Sequence, residues 1–180
     1  MNRIIISMLL LISLGSLSRI QEWYKLEDAG FSISFPSQPK IDSTDVESPI
    51  GKLTAYTYML ENDENTTDSN LIYGFSKSQY PEKYFQQAAG SEASFMKGVM
   101  DGFVNGAVKG VNGKLLTDKE VNLKGIPGRE ITVDYGNGTA IIRMILYLNK
   151  TKLFSIQTIS YSGKENNSNA ERFFKSLVIK

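Results

Sequence analysis

Residues 127–161 read PGREITVDYGNGTAIIRMILYLNKTKLFSIQTISY, the densest run of β-branched and aromatic residues in the chain. The pattern predicts three β-strands joined by two tight turns. In the first strand Ile131, Val133 and Tyr135 alternate with Glu130, Thr132 and Asp134, the period of two that gives a strand one apolar and one polar face. Gly136-Asn137-Gly138 follows, and both residue types accept the positive φ that tight hairpins need. The second strand has Ala140, Ile142, Met144, Leu146 and Leu148 on one face and Ile141, Ile145 and Tyr147 on the other, interrupted only by Arg143. A strand apolar on both faces is an interior strand covered on both sides. After the turn Asn149-Lys150-Thr151-Lys152, Leu153, Phe154, Ile156 and Ile159 again place apolar groups on both faces. The expectation is a mostly antiparallel sheet with something packed on each side.

Downstream, Asn167 to Asn169 can cap a short helix, and Phe173 and Leu177, four residues apart, give it one stripe to dock. Upstream, 114–124 is a further strand running through Gly125 into Pro127. Before it the period changes. Phe85, Ala89, Ala93, Met96, Val99, Met100, Phe103, Val104 and Ala107 fall in one arc at about 100° per residue, with Lys97, Asp101 and Asn105 opposite. This predicts one continuous amphipathic helix over 83–108, with Pro81 near its first turn. Gly98, Gly102 and Gly106 recur along one flank, each costing about 1 kcal/mol of helix propensity relative to Ala. Close approach of another backbone is the usual compensation, so this flank is expected to lie tight on the sheet. A small-residue membrane dimer face fits poorly with the helix's charges. The stretch GVNGKL (110–115) follows a helix and has Leu115 where a phosphate loop needs Ser or Thr, so it reads as a helix stop.

Nearer the N-terminus, Phe31, Ile33 and Phe35 alternate with Ser32 and Ser34 in a half-buried strand ended by Pro36. Trp23 to Leu26 reads as a short edge strand, 40–50 as a polar loop, and 51–61 and 70–79 as a strand pair. The intervening ENDENTTDSN fails the calcium-loop spacing of the EF-hand and reads as a solvated hairpin tip. The predicted order is β-β-β-β-α-β-β-β-β-α. No repeat or compositional break divides residues 19–180, which are expected to form a single domain.

Residues 1–18, MNRIIISMLLLISLGSLS, have one Arg, an apolar run from Ile4 to Leu14 and small residues at Ser16 and Ser18. This is the layout of a secretory signal peptide, and the apolar run is shorter than the ~20 residues of a spanning helix. Retention as an anchor is the weaker reading. Arg3 is its only charge, so removal leaves 19 basic against 19 acidic residues. A neutral mature chain argues against a general nucleic-acid binder. With no cysteine the chain has no disulfides, and about 160 residues must be held by their core alone. Asn65, Asn137, Asn149 and Asn166 begin Asn-x-Ser/Thr triplets, which matter only in a eukaryotic secretory route.

The absence of histidine and cysteine removes the Ser-His-Asp triad, thiol nucleophiles and the usual zinc sites. No motif selects a catalytic residue, a cofactor or a metal site. Glu130 and Asp134 alternate outward on one strand and read as solvated. Arg143, alone in the most apolar strand, is either ion-paired at the sheet surface or an anion-binding group in a cleft. Tyr56, Tyr58 and Tyr73 lie on facing strands. They either pack at the sheet or form an aromatic contact patch. These four residues are the candidate ligand or partner contacts.

Several stretches carry a resemblance: GFSISFPSQP (30–39) followed by Gly51, the long helix ending at GVNGKLL (110–116), GIPGRE (125–130), the strand TAIIRMILYL (139–148) and AERFFKSL (170–177). Together they resemble bacterial exported proteins of the PsbP-like superfamily, across most of the mature chain. The resemblance implies an α+β fold, a mostly antiparallel sheet flanked by the long helix and the short C-terminal helix in an α-β-α sandwich. It also implies a binding or assembly role, and carries over no functional residue. The main expectation is thus a non-enzymatic exported domain, periplasmic or secreted, that binds a protein or other envelope component. The alternative is a small-ligand or metal-ion carrier with a pocket between the long helix and the sheet. A carboxylate hydrolase, a third reading, needs two acidic residues converging in one cleft.

Overall fold

A computed structural model describes residues 22–48, 51–63, 66–87 and 90–180. Residues 1–18, read above as a signal peptide, and Asn65 lie outside the described residues. The expected meander is present: β7 (Ile126–Tyr135), β8 (Ala140–Asn149) and β9 (Lys152–Tyr161) pair antiparallel in sequence order. Asn137 and Lys150 take positive φ in the two turns. β8 is buried along nearly its whole length, as its two apolar faces require.

On either side the sheet is extended by β3 (Lys40–Ser48), β4 (Gly51–Glu61), β5 (Asn70–Gln79) and β6 (Lys114–Leu123). Its order is β3-β4-β5-β9-β8-β7-β6, seven strands, all neighbours antiparallel. Over residues 40–48, β3 corrects the reading of 40–50 as a loop. It is an edge strand paired along its length with β4, and Ile41 is 63% exposed. Such a strand needs no apolar face, because the backbone ladder supplies the pairing, while Lys40, Asp42 and Asp45 discourage pairing with another chain. A second, smaller sheet holds β1 (Tyr24–Asp28), β2 (Phe31–Phe35) and the two-residue β10 (Val178–Ile179), in the order β1-β2-β10. Neither β10 nor the separation into two sheets was expected.

The predicted single helix is broken. α1 (Glu82–Gln87) and α2 (Glu92–Gly110) are separate helices, and Gly90 between them has φ +90°. That left-handed conformation cannot continue a right-handed helix, although the apolar phase runs on through it. α2 ends as its sequence predicts. Asn112 has positive φ, its N–H donates to Lys109 O, and Gly113 N–H donates to Val108 O, the paired bonds of a Schellman stop. α3 (Ser168–Lys175) begins at Asn167, whose side chain accepts from Ala170 N–H at 2.9 Å.

Two cores lie on the two faces of the large sheet. One joins Tyr73, Phe75, Tyr147, Phe154 and Ile156 to Phe31 and Phe35 of β2 and Phe173 of α3. The Phe35–Phe173 and Tyr73–Phe173 rings meet edge-on at 5.0 and 5.1 Å, a favoured aromatic geometry. The other joins Met100 and Val104 of α2 to Ile131, Val133, Ile142, Met144, Leu146 and Leu148. The fold is therefore α+β and mostly antiparallel, but the outer layer opposite α2 is shared by α3 and the small sheet rather than formed by a helix alone.

Candidate functional site

α2 covers only part of its sheet face. One flank is fixed by charge. Arg129 of β7 donates from Nη1 to Asp101 of α2 at 2.8 Å and from Nε to Asp118 of β6 at 2.6 Å, with a further Nη2 bond to Asp118. These hydrogen bonds, that to Asp118 first, push the guanidinium above its ordinary range. Met100 and Val104 then seat α2 over β7 and β8.

The other flank stands off the sheet. Between it and β4, β5 and β9 lies a groove of about 960 Å³, within the roughly 300–1,000 Å³ of small-ligand sites. Phe95, Val99 and Phe103 of α2 form one wall; Leu53, Met144 and Leu153 contribute from the sheet. The floor is small and polar: Gly74, Ser76 and Ser78 on β5 beside Ser155 and Gln157 on β9. These floor residues share a face because alternate strand residues do. The hydroxyls of Ser76 and Ser155 are 2.7 Å apart and hydrogen-bonded. Tyr80, with its hydroxyl pushed above its ordinary value by burial, also lines the groove.

The glycine stripe borders this opening, which corrects the expectation of close backbone approach. A Cβ at Gly98, Gly102, Gly106 or Gly110 would meet nothing within 4 Å, and all four line the groove. Close approach occurs instead at Gly128 of the GIPGRE stretch, where a Cβ would sit 2.3 Å from Leu146 O and 2.6 Å from the Tyr147 ring.

The residues expected as contacts lie elsewhere. Arg143 is on the opposite sheet face, 13% exposed, donating from Nε to Glu130 at 2.7 Å and from Nη1 to Glu171 of α3 at 2.5 Å. Its guanidinium carbon is 4.5 Å from the centre of the Phe174 ring. Burial works against its charge, but the bonds to Glu171 and Glu130 outweigh it and raise its pKa. The ion-paired reading is therefore the one realised. Tyr58 and Tyr73 belong to the aromatic core, not to a surface patch, because the small sheet and α3 pack over that face. Only Tyr56 is exposed, at 45%, with Lys77 Nζ 5.4 Å from its ring centre. Glu130 is bonded to Arg143, and Asp134 Oδ1 accepts from Gly138 N–H at 2.6 Å in the following turn. Each has a structural partner.

Sequence reasoning also missed the role of the acidic hairpin tip. Asp68 accepts from Asn70 N–H at 3.0 Å and from the Tyr73 hydroxyl at 2.6 Å, and Asn169 Nδ2 reaches it at 3.1 Å. It is part of a clasp onto α3. Among the described residues no group of three or more His, Cys, Asp or Glu could hold a metal ion, and no helix is long and apolar enough to cross a membrane.

No protein-family model matches the chain, and no curated protein matches it. Among solved structures, the solution structure of cyanobacterial PsbP (CyanoP) from Synechocystis sp. PCC 6803 superposes with a TM-score of 0.54 at 15% identity, covering 94% of this chain and 99% of that one. A protein of unknown function from Pseudomonas aeruginosa, PA94, matches at a TM-score of 0.38 and 14% identity over 80% of this chain and 84% of its own. The CyanoP superposition and the observed layers agree with the sequence resemblance: the chain has a PsbP-like fold.

Proposed function

We propose that this is an exported, non-enzymatic binding protein and that the groove between α2 and the sheet receives an apolar envelope component. The observation that carries the reading is the open glycine stripe. Four helical glycines forgo stability although nothing lies within 4 Å of where a Cβ would stand, and they leave a trough beside Phe95, Val99 and Phe103. An apolar surface left open in this way is a binding surface. Of the two binding roles open from sequence, a protein or envelope partner and a small-ligand or metal-ion carrier with a helix–sheet pocket, binding in the pocket is favoured, since of the candidate contacts Tyr58 and Tyr73 are buried and Arg143 is ion-paired. Export rests on the layout of residues 1–18, and the non-enzymatic role on the missing histidine and cysteine.

The test is titration of the mature protein with a neutral solvatochromic dye such as Nile red. Saturable binding is expected, weakened at least about tenfold in a Gly102→Leu, Gly106→Leu variant whose new side chains enter the trough. Circular dichroism and urea unfolding check that the variant folds. Equal binding by both proteins, or none by the parent, refutes the groove as the site. Export is read separately, by N-terminal sequencing for cleavage after Ser18.

A further inference from the structure

The groove's charge pattern narrows its guest. Of the residues of the whole chain 22% are charged, yet none of the described residues lining the groove is Asp, Glu, Lys or Arg. Its polar side chains, Thr57, Tyr80 and the floor residues, are all uncharged, and on the floor Ser76, Ser155 and Gln157 sit side by side on paired strands. Ser76 and Ser155 share one hydrogen bond in which either can donate, so one hydroxyl proton and several lone pairs remain for a guest. Gln157 lies across Gly74: a Cβ there would be 2.9 Å from Gln157 Cγ and 3.0 Å from its Nε2. The missing side chain at position 74 is what lets the carboxamide lie flat on the floor. Its oxygen and nitrogen add an acceptor and donors.

A floor of this kind suits a polar group that both gives and accepts hydrogen bonds and carries no charge. An ionised carboxylate or ammonium brought to it would lose water without gaining a counter-charge, which is costly. Resting on the proposal that the groove binds an apolar guest, we infer that the guest is a single aliphatic chain bearing an uncharged hydrogen-bonding group, of the amide, ester or alcohol class. That group meets Ser76, Ser155 and Gln157, while the chain runs along the glycine stripe against Phe95 and Phe103.

The experiment is displacement of Nile red from the mature protein by three saturated chains of equal length: lauramide, laurate and laurylamine. At about pH 8 the first is neutral, the second anionic and the third cationic. Lauramide is expected to displace the dye at a concentration at least about tenfold lower than either charged chain. Gln157→Leu and Ser76→Ala should each shrink that gap, since they remove head-group partners and leave the apolar walls intact. If laurate or laurylamine displaces the dye as well as lauramide does, or if the gap survives both substitutions, the neutral-head inference is wrong and the groove reading stands. If the dye itself shows no saturable binding, the groove reading fails first.

Discussion

The side-chain carboxamides of Asn70 and Asn167, 97 residues apart, hydrogen-bond to each other in both directions: Asn70 Nδ2 to Asn167 Oδ1 at 3.0 Å and Asn167 Nδ2 to Asn70 Oδ1 at 2.9 Å. Asn70 begins β5 and is fully buried; Asn167 caps α3. Asn70 also accepts from Ser160 Oγ at 2.7 Å, which brings β9 into the same network. The pair sets how α3 sits on the sheet, with Phe173 packed behind it.

Asn70→Ala takes the partner of the buried Ser160 hydroxyl, while Asn167 keeps its bonds with Lys164 O and Ala170 N–H, and should destabilise by about 1–3 kcal/mol. Asn167→Ala additionally loses a helix cap, itself typically about 1 kcal/mol. Because the two residues share one interaction, the double variant should lose less than the sum of the singles. Urea unfolding of the four proteins measures this, and strict additivity would contradict the reciprocal bond.

Two glycine-to-alanine changes should have opposite signs. At Gly102, in open space on α2, alanine should stabilise by up to about 1 kcal/mol through helix propensity. At Gly128 the new methyl meets a backbone carbonyl at 2.3 Å, so strands β7 and β8 must move apart, and destabilisation by about 1–3 kcal/mol is expected. Thermal unfolding distinguishes the two, and a stabilising Gly128→Ala would refute the close approach.

Arg129 should govern how firmly α2 is held. Its partners Asp101 and Asp118 lie on α2 and β6, and the arginine is 18% exposed. Arg129→Met keeps the stem and removes the bonds, with an expected loss of about 1–2 kcal/mol. Amide hydrogen exchange should accelerate in α2 more than in β8 or β9. Uniform change across the chain would count against a local anchoring role.

The pH dependence of stability should be flat in the middle and fall at both ends. With no histidine or cysteine, no side chain of ordinary pKa titrates between about pH 6 and 8. The hydrogen bond from Arg143 holds the Glu171 carboxyl below its ordinary 4.5. Lys180 and Lys25 hold Glu27 down at about 2, Lys77 lowers Asp28, and Lys97 lowers Asp101. A lowered folded-state value means the unfolded chain binds more protons in acid, so this stability is present above about pH 4.5 and lost as pH falls toward the folded values. Glu171→Gln should remove part of the acid limb while leaving the plateau flat. At the alkaline end burial raises Tyr73, Tyr80 and Tyr147 above their ordinary 10.0. The unfolded chain then ionises first, so stability falls above about pH 10. Urea midpoints across pH test both limbs, and a step near pH 6.5 would be inconsistent with this account.

Local periodicity was enough to place the meander, the cap at Asn167, the stop after Gly110 and the apolar arc of α2, because each depends on neighbours within a few residues. It was also enough to exclude thiol and imidazole chemistry, since the side chains are absent. Folding alone determined that Arg143 meets Glu130 and Glu171, that Asn70 meets Asn167, and that the glycine flank of α2 borders a groove. All three depend on separations of many residues and on which sheet face each element covers. The apolar phase over 83–108 concealed the break at Gly90, since a side-chain pattern records a face and not a backbone angle. In the same way a run of small residues looks identical whether another backbone presses on it or nothing does. Only the side from which the sheet approaches α2 distinguishes the two, and Arg129, Met100 and Val104 set that side.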